Sequence, residues 1–213
     1  MQMAQRFRGF LPVVIDFETG GFDPQRHALL EIACVFVQFD GDRLVLGEGY
    51  EQSVKPFDGS LMDPASLKVT GIDPNDPNRA AIAEHEALNQ LFHKVRKQVK
   101  AEGCQRAIMV AHNAAFDQAF LNQAIGRGEM KRSPFHPFSS LDTASLAAVA
   151  YGQTVLSRAC GRAGIEFDTQ KAHNALYDAE RTAELFCDIV NRWPYEPPPL
   201  ETQPGDDEDS VNR

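Results

Sequence analysis

Short apolar runs that stop abruptly at acids or glycines alternate along this chain with longer stretches of helical period. The first run, Leu11, Pro12, Val13, Val14 and Ile15, meets Asp16 and Glu18, then Gly20 and Gly21. Consecutive apolar residues followed by breakers predict a short strand buried on both faces. Ala28 to Phe39, ALLEIACVFVQF, predicts a central or near-central strand. Asp40-Gly41-Asp42 is a hairpin turn, Arg43 to Tyr50 the returning strand, and Glu51 to Pro56 a candidate third strand at that edge. Ala107 to Ala111 predicts a further buried strand.

Helical period takes over elsewhere. A short helix is predicted over Met62 to Val69, then a turn-rich loop over Asp73 to Asn78. Ala80 to Ala101 predicts a long helix with Leu88, Leu91, Phe92, Val95 and Val99 as its apolar stripe. A helix begins near Ala114 or Ala115, and Met130 to Phe138 reads as a loop. Shorter helices follow over Ala144 to Ala150 and Thr154 to Ala163, the latter with Val155, Leu156, Ala159 and Cys160 inward and Gly164 as its stop. Phe167 to Ala172 is a loop, and Ala175 to Arg192 is the last long helix, with Leu176, Ala179, Ala183, Phe186 and Val190 inward. The following WPYEPPPL ends that helix and straps a C-terminal arm onto the body.

This order of strands and helices, over 213 residues with 43% hydrophobic content, predicts one α/β domain with a mixed central sheet flanked by helices over residues 1–200. Residues 201–213 form an acidic tail predicted to be disordered. Cys34, Cys104, Cys160 and Cys187 show no paired spacing, so free thiols in a reducing compartment are expected. No run suits a signal peptide or a membrane span, and a cytoplasmic protein is expected. The net charge of -9 argues against a nucleic-acid partner, but the tail holds five acids against one base, leaving the rest at -5. Local basic patches can still grip phosphates. Arg6 and Arg8 flank Phe7, and Lys100, Arg106 and Lys131 lie near predicted element ends. Phosphate contacts and ordinary solvated charges both fit these five residues.

Asp16 and Glu18, two apart on a strand, point to one side. Side-by-side carboxylates at the end of a buried strand repel each other and resist burial, so a divalent cation between them is expected. Asp117 falls in the first turn of the helix after a buried strand, where a plain dipole partner is the alternative reading. Asp178 lies in the last helix, five residues beyond His173. Sheet geometry lets all four acids converge at one edge. Together they can hold two hard cations roughly 4 Å apart, the two-metal arrangement of phosphodiester cleavage. His173 is then a candidate general base, with capping of the last helix as its alternative. Phe22 and Phe116 adjoin the acids, and Phe138 lies in the predicted loop; each is either a core plug or a surface on which a base stacks.

The segments DFETGG, HNAAFD and HNALYDAE, in that order, resemble the DEDDh branch of the 3′-to-5′ exonucleases over about Val13 to Phe186. The resemblance places the family's four metal acids on Asp16, Glu18, Asp117 and Asp178 and its general-base histidine on His173. It implies a ribonuclease H-like α/β fold, two Mg²⁺ ions per site that Mn²⁺ can replace, and stepwise release of nucleoside 5′-monophosphates. Further segments, including TGIDPNDPNR and PFHPF, resemble one group within that family. That group trims the 3′ ends of transfer RNA and other small stable RNAs as a homodimer, degrades single-stranded DNA, and stacks terminal bases on aromatics that fall here on Phe22, Phe116 and Phe138. The group's patch matching Arg6, Arg8, Lys100, Arg106 and Lys131 serves the opposite subunit's site. A fourth aromatic of the group falls on Val69, and a base-selecting glutamate falls near Ala65. These departures bear on the group's reluctance at terminal cytosines. A DNA proofreading or repair exonuclease of the same branch is the alternative, since the catalytic residues do not distinguish the sugars. A binding module with degenerate ligands needs a missing acid or histidine, and all five residues are present.

Overall fold

A computed structural model describes residues 2–193 and 195–196. The acidic tail predicted over 201–213 and most of the WPYEPPPL arm lie outside the described residues. Five strands form one mixed sheet in the order β3-β2-β1-β4-β5. They are β1 (Phe10–Thr19), β2 (Leu29–Asp40), β3 (Arg43–Ser53), β4 (Arg106–Ala111) and β5 (Phe135–Asp142). The hairpin partners β2 and β3 pair antiparallel, as do β1 and β2, whereas β1–β4 and β4–β5 are parallel. Six α-helices accompany them: α1 (Pro64–Thr70), α2 (Glu84–Ala101), α3 (Ala115–Arg127), α4 (Thr143–Tyr151), α5 (Leu156–Ala163) and α6 (Ala175–Arg192).

The sheet is covered on both faces, so β1 is buried along most of its length, as its unbroken apolar run requires. On one face lies α6. Gly49 of β3 lets it approach, for a Cβ there would sit 3.0 Å from Leu176 Cδ1. Val35 lies opposite both Gly49 and Val14, so by the period of two Asp16, Glu18, Glu31 and Glu51 all belong to the α6 face. On the other face lies α2, whose Lys94 stands over the Tyr50 ring and whose Leu88, Leu91, Phe92 and Val95 are buried.

Four expectations change. The pieces Arg43 to Tyr50 and Glu51 onward are one strand, β3, continued past an irregularity between Val35 and Val37 of its partner. The α2 helix starts at Glu84 rather than Ala80, because Ile82 is engaged in a bridge with Val54 and its carbonyl accepts from the Lys55 N–H. The predicted loop from Met130 to Phe138 ends in strand β5, which runs on to Asp142; Pro137 sits within its irregular register at the sheet edge, where a missing N–H does least harm. Val155 is exposed at the N-cap of α5 rather than inward. The four cysteines are free, with Cys34, Cys160 and Cys187 buried. Of the C-terminal arm, Tyr195 is described, and its hydroxyl donates to the Gln5 carbonyl at 3.1 Å.

Candidate active site

β1 leaves its partner β4 at Val14, opposite Val110, but stays paired with β2 through Glu18 and beyond. Its last residues therefore overhang the parallel half of the sheet, at the edge where α/β folds bind ligands. Asp16 and Glu18 project from this overhang beneath the first turn of α6, which supplies Asp178. The β4–α3 connection leads into the first turn of α3, which supplies Asp117, whose Oδ1 accepts the Phe17 N–H of β1 at 3.1 Å. That connection turns sharply at Asn113 (φ 68), whose N–H donates to Asp142 Oδ1 at 2.9 Å. All four predicted acids and His173 line one cleft of about 320 Å³.

The electrostatics are one-sided. Glu18 is 7% exposed, Asp117 4% and Asp178 9%. Burial first, then repulsion from Asp117, Glu18, Asp178 and Glu31, holds Asp16 well above the usual carboxylate range. Glu18 is pushed up to about 8 by burial and then by Asp178, Glu31 and Asp117. Burial likewise pushes Asp117 up to about 8, against the hydrogen bonds it accepts. Asp178 is also raised by burial, offset by the His173 N–H that its Oδ2 accepts at 2.9 Å and by His173 and His112 nearby. Its other oxygen, Oδ1, is buried with no hydrogen-bond partner. One ligand atom each from Glu18, His173 and Asp178 lie within 4.8 Å of one another. An orphaned carboxylate oxygen among mutually repelling acids fits a hard divalent cation.

Phe22 stands at the cleft mouth, 79% exposed, so it is not a core plug. Its ring lies edge-on to Phe116 at 6.2 Å, and Phe116 is braced in turn by Phe120 at 4.9 Å. The loop carrying Phe22 is tied down. Thr19 Oγ1 donates to the Gly21 carbonyl at 2.7 Å, the Asp23 N–H to His27 Nδ1 at 3.0 Å, and Arg127 Nη1 to the Pro24 carbonyl at 3.0 Å. Ala65 and Val69 of α1 also line the cleft. The helix is started by Asp63, which accepts the Ala65 N–H, and stopped by Gly71 in the left-handed conformation.

Phe138 is different. It is 75% exposed on β5, edge-on to His136, and it is not among the residues lining the cleft. Through His136 it is linked to Phe10, which lies among the basic residues at the opposite end of the sheet. Phe10 pairs with Arg106 and carries the Arg8 guanidinium over its ring at 5.2 Å. Arg6 lies over Phe7 and Tyr195. Lys100 closes α2, next to a turn whose Gln105 N–H donates to the Gly9 carbonyl, and Lys131 is exposed near the start of β5. From Phe10 to Asp16 is roughly 20 Å along an extended strand, so within one chain the basic group and the acids do not meet. Sequence reasoning also missed His112, which lines the cleft and is held between Thr143 Oγ1 (3.0 Å) and the Thr154 carbonyl (2.8 Å). Its signal was its place at the end of β4, just ahead of Asp117.

A mixed sheet with helices on both faces and an acid cleft at the end of β1 is the architecture of a nuclease. The family model RNase_T, described as Exonuclease, matches residues 13–186, and the chain belongs to that exonuclease family. It is a 3′-to-5′ exonuclease. It is 53% identical to a ribonuclease T of Marinobacter nauticus over 93% of this chain and 92% of that protein. It is 55% identical to the ribonuclease T of Escherichia coli strain K12, over 90% of this chain and 89% of that one. Among solved structures, the zinc-bound E. coli ExoI–ssDNA complex superposes with a TM-score of 0.66 at 19% identity, over 87% of this chain and 41% of that chain. A structure described as 3′-end specific recognition of histone mRNA stem-loop by 3′-exonuclease gives 0.65 at 17%, over 85% and 63%. At such identities these likenesses support the fold alone. No helix among the described residues is long and apolar enough to cross a membrane.

Proposed function

We propose that this chain trims single-stranded 3′ ends of structured RNA, including transfer RNA and other small stable RNAs, one nucleoside 5′-monophosphate at a time, and also acts on single-stranded DNA. The carrying observation is the cleft itself: four converging acids with an orphaned oxygen on Asp178, beside an exposed and firmly held Phe22. Asp16, Glu18, Asp117 and Asp178 would hold two Mg²⁺ ions, with Mn²⁺ as a substitute. When bound there, the ions neutralise the scissile phosphate and acidify the attacking water. His173 is exposed beside Asp178 and accepts the proton of that water. Phe22 and Phe116 stack the last bases, which only an unpaired end can offer. Ala65 and Val69 bring no polar side chain to the cleft wall, whereas Ser66 and Thr70 of the same helix do, so α1 is the wall that bears on the reluctance at terminal cytosines.

The basic group of Arg6, Arg8, Lys100, Arg106 and Lys131 grips phosphates of the substrate in the cleft of a second copy, within a two-fold homodimer. The separation of the two groups along β1 supports this sharing. On this reading residues 1–200 are a single domain working in the cytoplasm.

The deciding assay compares a transfer RNA precursor with a short 3′ tail, single-stranded DNA, and duplex DNA with a recessed 3′ end, each with Mg²⁺. Trimming of the first two and arrest at the duplex is the expected result. Preference for the recessed duplex end would replace the proposal with DNA proofreading or repair. Sharing between subunits is read by mixing Asp16→Asn with a variant whose Arg6, Arg8 and Lys100 are alanine. Recovered activity on the tailed RNA is expected, and its absence in confirmed heterodimers ends the dimer model.

A further inference from the structure

His173 has a left-handed backbone, φ 66, which a side chain with a Cβ disfavours. Such a conformation persists only where the surroundings over-determine it. Three consecutive residues at this point are each met by a carboxylate. The His173 N–H donates to Asp178 Oδ2 at 2.9 Å. The Asn174 side chain caps α6 by accepting the Tyr177 N–H at 2.9 Å, and its Nδ2 donates to Glu51 Oε1 of β3 at 3.2 Å. Ala175, which opens α6, lies near enough for its N–H to draw the pKa of the Glu31 carboxylate of β2 down.

Glu31 is an unexpected residue for that place. It interrupts the apolar run of β2, lies directly across from Glu18, and is raised by burial and by Glu51. A leucine there would remove a repelling charge from the acid cleft. What compensates Glu31 is first Arg79, which also donates from its Nη2 to the Leu30 carbonyl at 2.6 Å, and then the Ala175 N–H. A carboxylate suits a helix N-terminus, where N–H groups lack partners within the helix.

We infer that Glu51 and Glu31 are positioning residues: diagonal neighbours on β3 and β2, the first bonded to Asn174 and the second facing the start of α6, they form a clamp that holds His173 over the acid cleft. This rests on His173 acting as the general base. The clamp touches neither substrate nor the reacting atoms.

The test is single-turnover cleavage of a labelled single-stranded oligonucleotide with Mg²⁺, in variants of the full chain. Glu31→Ala should slow cleavage by roughly tenfold or more, in line with other outer positioning residues, with oligonucleotide affinity in Ca²⁺ unchanged. Glu31→Gln keeps an acceptor for the Ala175 N–H and should recover most of that rate. In a His173→Ala background, Glu31→Ala should cost no more than roughly twofold, since its effect passes through a residue already gone. A merely structural role would slow both backgrounds equally, and that result overturns the inference, as does a Glu31→Gln enzyme as slow as Glu31→Ala. Glu51 is exposed, so Glu51→Ala keeps the fold and supplies the same two-background comparison should Glu31→Ala not fold. A Glu51→Ala enzyme at wild-type rate also overturns the clamp. Full activity of His173→Ala alone would sink instead the general-base reading beneath it.

Discussion

Two glutamates of this chain are buried to the same degree and treated in opposite ways. Glu84, 9% exposed at the start of α2, receives a bidentate arginine: Arg127 Nε at 2.9 Å and Nη2 at 2.7 Å, with the guanidinium also 4.2 Å from the Phe57 ring centre. Glu18, 7% exposed at the end of β1, is pushed up by burial and then by Asp178, Glu31 and Asp117. Burying a carboxylate is costly unless it is paired. The fold supplies the counter-charge to Glu84 from within. At Glu18 it gathers more negative charge, which is reasonable only where positive charge arrives from outside. A structural ion pair and a metal site thus differ in what surrounds the carboxylate rather than in how deeply it lies.

The largest effect expected from breaking this contrast is on catalysis. Asp16→Asn or Asp178→Asn keeps the shape of the cleft but removes a charge that an incoming cation needs. The Mg²⁺-dependent rate should fall by more than the roughly 10²-fold seen at the upper end for outer-shell changes. The metal-free Asp16→Asn protein should melt no lower than the parent, since the charge lost there only repels its neighbours. Normal turnover in Asp16→Asn, measured with a single-stranded substrate, would remove the metal reading.

At Glu84 the outcome should invert. Arg127→Met strands a buried carboxylate and releases the Pro24 carbonyl, so stability should drop by about 3–5 kcal/mol, the usual cost of breaking a buried pair. Chemical denaturation with two probes measures it. A change below about 1 kcal/mol would class the pair with exposed ones.

How much of this contrast was legible beforehand follows from where the forces act. The cleft acids could be read because they end apolar runs or open helices, local patterns that a sequence displays. Phe22 could be placed beside Asp16 and Glu18 for the same reason. The Arg127–Glu84 pair joins residues 43 positions apart, and no periodicity announces it. Glu31 hid inside an apolar strand, where it looked like an interruption. β5 was missed because Pro134 and Pro137 resemble a loop, and an edge strand tolerates them. Phe138 was expected in the cleft on the strength of that loop, and the strand carries it toward Phe10 instead.

A pH experiment sharpens the comparison at intermediate size. In the unfolded chain Glu18 titrates near its ordinary 4.5, and folded it stands at about 8; Asp117 moves from 3.8 to about 8. The folded state therefore binds these protons more tightly, and their contribution to stability is complete below the unfolded values and lost as pH rises toward 8. Asp142 and Asp188, whose pKa values are depressed, act only in the acid range below, and His112, lowered by burial, opposes the fall within the window as one group against two. With EDTA present, the melting temperature should fall by several degrees between pH 5 and 8, given a shift of roughly 2–4 °C per kcal/mol for a chain of this size. Mg²⁺ or Mn²⁺ should flatten that fall, and Asp16→Asn should lessen it without metal. A metal-free melting temperature that rises with pH over this window contradicts the uncompensated cluster.

The smallest effect concerns aromatics, and the same division applies to them. Phe57 is occupied by the Arg127 guanidinium, whereas Phe22 leaves most of its ring to solvent although its loop is fixed at Gly21, Asp23 and Pro24. An exposed ring on a fixed loop loses little entropy when a base stacks on it, because its backbone is already ordered. Phe22→Ala should therefore leave the melting temperature unchanged and weaken single-stranded 3′-end binding in Ca²⁺ by about 1–3 kcal/mol, the usual worth of one stacked base. Phe22→Trp, which keeps a stacking face, should recover most of the loss. Phe138→Ala separates the two ends of the sheet. Its effect on binding should disappear wherever the protein is monomeric, since within one chain Phe138 lies outside the cleft. Should Phe138→Ala weaken binding by a confirmed monomer as much as Phe22→Ala does, the cleft extends further along β5 than its lining residues indicate.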